Sequence, residues 1–361
     1  MATISETRAA PRVGARGLGA AIEWIGRHPL TFILPILLVA PFVADYTPLY
    51  TALLAEILVF GLYGLGFDVM LGYTGILSLG HSAFFGVPSY ITGLLLVYVT
   101  PSIWLAVPAG ALGGTLTAFL LGGLALRKRG VYFAMLTLAL SQVFYYIVRM
   151  WREVTGGDDG LSGIPRLRLG LPWGEIPLSK NTFNTYWFMT IIVLLSALAI
   201  HRILRSPLGR AMQAVRDNER RAASCGLNVQ GVRMAAILIS GLFSGLAGAL
   251  LTVLIEFAPI ENVHWSMSGT VVILTLFGGS GTFLGPFVGA ATFLWLKDFV
   301  SRTFSYWEMV VGGLFVLIVV FLPDGIVGTI RKVFRTWAVP HLPGTIERTG
   351  ETATAARPPG P

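Results

Sequence analysis

Residues 49–71 read LYTALLAEILVFGLYGLGFDVML, and this stretch decides the fold class of the protein. Glu56 and Asp68 are its only charged residues. An apolar helix of about 20 residues is long enough to cross the hydrocarbon core of a bilayer, which is ~30 Å thick. Apolar runs of similar length recur along nearly the whole chain. The sequence therefore predicts a protein that crosses the membrane many times.

The composition of the whole chain agrees with this prediction. Of its 361 residues, 54% are hydrophobic and only 12% are charged, whereas soluble domains have about 25% charged residues. The mean hydropathy is +0.73. These values exclude a cytosolic enzyme, a disordered chain and a small secreted domain held by disulfides. The single cysteine, Cys225, cannot form a disulfide within the chain, so redox chemistry is not expected.

The expected fold is all-α, a polytopic helical bundle with about ten transmembrane spans, some of them short or broken. The predicted spans are Pro29 to Ala44, Leu49 to Leu71, Ile76 to Val99, Ile103 to Leu126, Gly130 to Trp151, Thr185 to Leu204, Arg233 to Phe257, Met267 to Phe277, Thr282 to Val300 and Trp307 to Leu322. The run Met267 to Phe277 is too short to cross the bilayer as a complete helix. Residues 278–281, with the sequence GGSG, separate it from the next span.

The distribution of charge predicts how the spans are oriented. The chain carries 26 basic and 18 acidic residues, a net charge of +8. Basic residues concentrate in the N-terminal tail (1–28), at 127–129, in the loop 205–232 and in the C-terminal tail (324–361). Because positively charged loops stay in the cytoplasm, an even number of spans places all four segments there. The transmembrane domain is then 29–323, the loop 152–184 lies outside, and the C-terminal tail is largely disordered.

Small residues recur at helical spacing in the last third of the chain. The glycines concerned are Gly241, Gly245, Gly248, Gly281, Gly285 and Gly289. Residues four apart lie on one helix face, and small faces let two helices approach closely in lipid. We expect most of these glycines to pack helices together and some to let helices slide during gating.

The segment that follows the first quoted stretch combines glycines, hydroxyls and an imidazole. It runs from Gly72 to His81 as GYTGILSLGH, and Asp68 precedes it. Such a segment interrupts a helix, and transporters place interrupted helices at their substrate sites. The predicted pathway residues are Asp68, Tyr73, Thr74, Ser78 and His81. The alternative is a glycine-rich turn in which His81 is only a packed hydrogen-bond donor.

The loop 205–232 contains the pattern of a helix outside the bilayer. Ser206 is placed to cap it, Pro207 suits its first position, and Gly226 gives a stop after roughly 18 residues. Leu208, Met212 and Val215 share one face, which we expect to contact a partner protein or the membrane surface. A basic helix resting on anionic lipid headgroups is the alternative.

The same loop resembles the coupling loop of permeases in the branched-chain amino-acid class of ABC importers. The residues that carry the resemblance are SPLGRA (206–211), AVRDNE (214–219), Ala222, Ala223 and Gly226. Further similar motifs are GYTG (72–75), SLGH (78–81), FFG (84–86), TGGDDGL (155–161), GGSGT (278–282) and Gly285-Pro286. The resemblance covers about Leu30 to Gly328, and the chain looks like the longer, M-type permease of such transporters.

The resemblance implies partners and a location. It implies a second permease subunit, two ATPase subunits and a periplasmic or lipid-anchored solute-binding protein, in the inner membrane of a bacterium with both termini in the cytoplasm. The chain has no G-x-x-x-x-G-K-S/T loop for nucleotide phosphates, so the partner subunits are expected to bind the ATP. No cofactor or metal is expected, and the chain is not expected to be an enzyme.

The resemblance also implies roles for individual residues. The predicted contacts for ATPase coupling are Ser206, Pro207, Arg216, Asn218, Glu219, Ala222 and Gly226. The predicted contacts with the binding protein, or with the outer mouth of the pathway, are Thr155, Gly156, Gly157, Asp158 and Asp159. A solvated glycine-rich turn is the alternative for this second group.

The expected solute is a branched-chain amino acid such as leucine, isoleucine or valine. Urea or a short-chain amide is the alternative within the same class, because a pathway lined by small polar residues suits any small neutral or zwitterionic solute. An ion-coupled secondary transporter, with Asp68 and Glu56 as coupling sites, is the alternative from another class. Such a transporter would not need a capped helix between two spans.

Overall fold

The computed structural model describes residues 51–165, 168–171, 174–177, 183–303, 306–322, 324–329 and 332. The predicted basic tail 1–28, the predicted span Pro29 to Ala44 and most of the predicted C-terminal tail lie outside the described residues. Within them the fold is helical, as the sequence predicts.

Four long apolar helices form the first half of the described chain. They are α1 (Thr51–Thr74), α2 (Ser82–Leu94), α3 (Ile103–Ala125) and α4 (Val131–Met150), and a π-helical turn, Leu95–Val99, extends α2. The predicted span Ile76 to Val99 is too long at its start, because the interruption after α1 continues as far as His81.

A short segment of mixed structure follows α4. It contains α5 (Arg152–Thr155), a 3-10 turn at Gly157–Asp159, and an antiparallel hairpin of β1 (Arg168–Leu171) and β2 (Gly174–Pro177). The sequence analysis expected only a loop here. The hairpin and an isolated antiparallel bridge between Leu161 and Ala258 are the departures from an all-helical fold among the described residues.

The next four helices include the predicted cytoplasmic helix. They are α6 (Phe183–Arg205), α7 (Pro207–Asp217), α8 (Glu219–Ser224) and α9 (Val229–Ile255). The prediction of one helix of roughly 18 residues is wrong, because Asn218 is extended and separates α7 from α8. Its side-chain oxygen accepts a hydrogen bond from the N–H of Arg221, which makes Asn218 the N-cap of α8.

Three shorter helices complete the described chain. They are α10 (Trp265–Gly278), α11 (Gly285–Thr303) and α12 (Trp307–Phe321). The break between α10 and α11 has Gly279 at φ 109° and Gly281 at φ 75°, values that favour glycine. The expected interruption at the GGSG stretch is therefore present, and α11 begins three residues later than the predicted span.

Six described helices are long and apolar enough to cross a membrane, namely α1, α2 with its π turn, α3, α4, α6 and α9. The chain is thus a multi-pass membrane protein by the length and composition of its helices. The prediction of about ten spans goes beyond this number and stays a prediction.

Helix α1 lies at the centre of the bundle. Its residues Leu62, Tyr63, Leu65 and Phe67 have no exposed surface. Helix α4 lies at the periphery and exposes Val131, Tyr132, Met135 and other apolar side chains. A helix that is buried on all sides must be apolar all round, which explains why α1 shows no amphipathic pattern.

Glycines allow α3 and α9 to cross closely. A Cβ added at Gly114 of α3 would lie 2.6 Å from the Cα of Gly245 in α9, and one added at Gly241 would meet the backbone of Gly114. Gly248 lies against the backbone of Phe85 in α2. The structure thus places three of the predicted packing glycines at helix crossings.

We expect Gly114→Ala to lower the midpoint of thermal unfolding in detergent by several degrees. Both this change and the matched control Gly123→Ala add helix propensity, worth up to ~1 kcal/mol. Only the change at Gly114 forces a methyl group into α9, and overpacking costs about 1–3 kcal/mol. At Gly123 the nearest atom is 4.0 Å away. Equal midpoints for the two variants would contradict the close crossing.

Candidate functional site

Two interruptions of the helical chain meet beside Asp68. One interruption follows α1, and the other lies between α10 and α11. Asp68 is fully buried, and its carboxylate oxygens Oδ1 and Oδ2 lie 2.9 and 3.1 Å from the N–H donor of Gly281. A carboxylate inside a membrane bundle is costly without such a partner. The hydrogen bond therefore ties the second interruption to α1.

Arg216, near the end of α7, reaches the same place from outside the long helices. Its Nη1 donates a hydrogen bond to the carbonyl oxygen of Gly72. Carbonyls in the last turn of a helix have no partner within that helix, so Arg216 satisfies a group that α1 leaves free. A Cβ added at Gly72 would lie 2.6 Å from the Cγ of Asp68, so no larger residue fits there. We call Asp68, Gly72, Arg216 and Gly281 the junction.

His81, at the end of the first interruption, is fully buried and hydrogen-bonded. Its Nε2 lies 2.8 Å from the Oγ of Ser244 and 3.5 Å from the Oγ of Ser240, both in α9. The rings of Tyr63, Phe67 and Phe84 surround the imidazole at 4.9 to 5.5 Å between centroids. In this conformation His81 packs α2 against α1 and α9, and its place in the solute pathway stays a prediction.

The other predicted pathway residues lie between Asp68 and His81. Thr74 is buried and donates a hydrogen bond to the carbonyl of Val69 at 2.9 Å, while Tyr73 is half-buried. Ser78 is fully buried, and its Oγ has no hydrogen-bond partner among the described residues. The Oγ of Ser82 and the Nδ1 of His81 share this property.

Side chains from α4 and α10 hold the backbone of the first interruption. The Oγ1 of Thr137 accepts a hydrogen bond from the N–H of Leu79 at 3.2 Å, and the Oγ of Ser268 accepts one from the N–H of Ser82 at 2.7 Å. Backbone groups at membrane depth need partners of this kind. Sequence reasoning missed Thr137 and Ser268, because single hydroxyls in apolar runs carry no signal of what they contact.

A second buried polar cluster was also missed. The Oγ of Ser89 in α2 lies 2.6 Å from the Oγ1 of Thr252 in α9 and accepts a hydrogen bond from the Nδ2 of Asn262 at 3.1 Å. The cluster joins two long helices to the 3-10 turn Ile260–Asn262. The only signal in the sequence is the presence of hydroxyls inside apolar spans.

The apolar face of α7 is buried within the chain itself. Met212 and Val215 have 0% and 1% of their surface exposed, and Leu208 is partly buried against the same core. The prediction that this face meets a partner or the membrane surface is therefore wrong. The long helices cover this face of α7, because Met212 and Val215 belong to the same apolar core as they do.

The ends of α7 and α8 differ in part from the prediction. Ser206 has the position of an N-cap, but its Oγ donates a hydrogen bond to the carbonyl of Ile203 at 2.6 Å and does not cap α7. Pro207 is the first residue of α7. Ala222 in α8 is buried, and Gly226 follows α8 with φ 84°.

Glu219 forms ion pairs within the chain. Its Oε1 lies 2.7 Å from the Nη2 of Arg233, whose side chain is only 8% exposed. Its Oε2 lies 3.4 Å from the Nη1 of Arg129. Glu219 thus connects the start of α8 to the start of α9 and to the segment between α3 and α4.

The glycine-rich turn after α4 is tightly organised. Thr155 is buried and donates to the carbonyls of Val148 at 2.6 Å and Trp151 at 2.8 Å. Gly156 and Gly157 have φ values of 80° and 63°. Asp158 pairs with Arg149 at 2.8 Å and Arg152 at 3.6 Å. Asp159 is exposed.

Comparison with known proteins establishes the family. The sequence model of one protein family, the permease component of branched-chain amino acid transport systems, matches residues 49–320. The chain belongs to this family. The match spans nearly all of the helices described above, including the junction and both α7 and α8.

Individual relatives agree with the family. The high-affinity branched-chain amino acid transport system permease of Escherichia coli K12 is 29% identical over 76% of this chain and 69% of its own length. The corresponding Salmonella typhimurium protein is 29% identical over 83% of this chain and 75% of its own length. A ribose import permease of Haemophilus influenzae is 25% identical over 65% and 72%. No solved structure gives a significant match.

We expect Glu219→Lys to lower the thermal unfolding midpoint of this permease in detergent. The Arg233 guanidinium would lose its carboxylate partner and face a second cation. Breaking a fully buried pair in this way costs about 3–5 kcal/mol, and we expect a smaller loss here because Glu219 is 31% exposed. Asp217→Lys is the matched control, because it makes the same charge change at an exposed residue. An equal loss of stability in both variants would show that the ion pair has no structural importance.

Proposed function

We propose that this permease is the membrane subunit of an ATP-driven, binding-protein-dependent importer of branched-chain amino acids. The observation that carries the proposal is the pair of helices α7 and α8 between two long apolar helices, together with the family match. Because the apolar face of α7 is buried against those helices, a force applied to α7 acts directly on them. A secondary transporter has no need of such a pair.

The energy comes from partner subunits. The sequence contains no phosphate-binding loop of its own, so two ATPase subunits bind and hydrolyse the nucleotide. A second permease subunit completes the membrane part, and a periplasmic or lipid-anchored protein delivers the solute. The turn at Asp158 and Asp159 is the surface assigned to that delivery protein.

The ATPase contact is assigned to the exposed side of α7. Pro207, Arg210, Gln213 and Asp217 are exposed and follow one another at intervals of three or four residues, so they share one face of the helix. The charged groups of Arg216 and Glu219 instead bond to other residues of this chain, so they are not assigned to the ATPase contact. The helix thus has one side for the ATPase and one for the membrane domain.

The orientation follows from charge. Ten spans, six of them among the long helices described above and the others from α10, α11, α12 and the segment Pro29 to Ala44, place both termini in the cytoplasm of a bacterium. The same arrangement places α7 and α8 in the cytoplasm and the hairpin outside. Basic segments then all lie on the cytoplasmic side.

The solute pathway is assigned to the first interruption. Ser78, His81 and Ser82 each have a buried polar atom with no hydrogen-bond partner among the described residues. An unsatisfied polar atom is costly, especially away from water. A zwitterionic solute offers ammonium and carboxylate groups for such atoms when the segment opens. The similarity to a ribose permease makes a polyhydroxyl solute the second candidate.

Uptake into vesicles distinguishes these solutes. Proteoliposomes containing the permease, its partner subunits and the binding protein should accumulate labelled leucine when ATP is enclosed with the ATPases, and should not do so without ATP. Uptake of urea or ribose in place of leucine would support the importer class and would identify a different solute. Leucine uptake driven by an ion gradient without ATP would contradict the proposal.

We expect Ser78→Ala and Ser82→Ala to raise the KM for uptake by about tenfold, the effect of losing one hydrogen bond of ~1.4 kcal/mol. Neither change removes a hydrogen bond that the hydroxyl makes in this conformation. The matched control is Ser196→Ala in α6, whose Oγ only donates to the carbonyl of Ile192 in its own helix. Unchanged KM values at normal expression would remove both serines from the pathway.

A further inference from the structure

The covalent connections of α7 do not reach the two interruptions. At its start α7 follows α6 through Ser206, and at its end it leads to α9 through α8 and Gly226. Neither route passes through the end of α1 or the break between α10 and α11. If the ATPase moves α7, some other contact has to carry that movement to the interrupted segments.

Arg216 makes this contact with both interruptions. The hydrogen bond from its Nη1 to Gly72 joins residues that are 144 positions apart in the sequence. A Cβ added at Gly281 would lie 3.1 Å from the same nitrogen, and one added at Gly75 would lie 3.3 Å from the Cγ of Arg216. The base and the tip of the Arg216 side chain thus lie against backbone of the two interrupted segments, while the residue as a whole stays exposed.

On the side of the two interruptions, the contact with Arg216 is made by backbone. Gly72, Gly75 and Gly281 have no side chains that could yield when Arg216 moves. Asp68 holds Gly281 to α1 through two N···O contacts of 2.9 and 3.1 Å, so the two interruptions are fixed to each other. Arg216 thus contacts two segments that are bonded to each other.

We propose that Arg216 is a positioning residue that transmits the movement of α7 to both interrupted segments, with Asp68 holding those segments together. The inference rests on the proposed ATP-driven function, because that function supplies the movement of α7. It assigns Arg216 an inward role in place of the direct ATPase contact expected from the sequence. The chemistry suits an arginine, whose planar fork directs several N–H donors at once.

Thiol labelling tests this role separately from transport. Cys225 is exposed and is first replaced by serine, which leaves no cysteine in the permease. One reporter is then Leu77→Cys, at a residue of the first interruption that is 38% exposed. The other is Gln213→Cys, on the exposed side of α7. The rate of maleimide labelling is measured in the assembled complex with and without ATP and vanadate.

We expect nucleotide to change the labelling rate at both positions in the parent. In Arg216→Ala the change at position 213 should persist, and the change at position 77 should fall by about tenfold, as expected for the loss of one charge-assisted hydrogen bond. The number of solute molecules imported per ATP hydrolysed should fall in the same variant. The control Arg220→Ala, at an exposed arginine of α8, should respond as the parent does.

The possible failures are distinguishable. A full response at position 77 in Arg216→Ala would overturn the role of Arg216 and leave the importer intact. No nucleotide response at either position in the parent, together with ATP-independent uptake, would overturn the proposed function. If Arg216→Ala does not assemble, Arg216→Lys keeps the charge but loses the fork, and an undiminished response at position 77 in that variant would equally overturn the inference.

Discussion

The structure depends on one constraint, which is that backbone polar groups inside a membrane must find partners within the protein. A continuous helix meets this constraint by itself, and an interrupted helix does not. At each interruption, therefore, a side chain from another element supplies the missing partner. Asp68 does so for Gly281, Arg216 for Gly72, and Thr137 and Ser268 for the segment that enters α2.

These bonds connect elements that are far apart in the sequence. As a result, the interruptions are the places where α1, α4, α7 and α10 are joined most specifically. Elsewhere the bundle combines the buried cluster of Ser89, Thr252 and Asn262 with close contact between small residues. An example of such contact is Gly114 against Gly245, where apolar burial alone would not select one crossing over another. Polar bonds at the interruptions and close glycine contacts along the helices thus both stabilise the fold.

Helices α7 and α8 extend the same network beyond the long helices. Met212 and Val215 anchor α7 in the apolar core, while Arg216 and Glu219 direct their charges inward to α1 and α9. A helix held in this way cannot move independently of the membrane bundle. This arrangement suits a subunit that has no nucleotide site of its own and takes its movement from a partner, as we propose for this family member.

The sequence by itself determined the membrane class, the helical fold and the positions of both interruptions, because hydropathy and glycine content act locally along the chain. Only the tertiary structure decided that His81 meets Ser244, that Asp68 meets Gly281 and that Arg216 turns inward. Those partners lie as many as 213 residues away, and no local pattern encodes a contact that arises when distant helices pack.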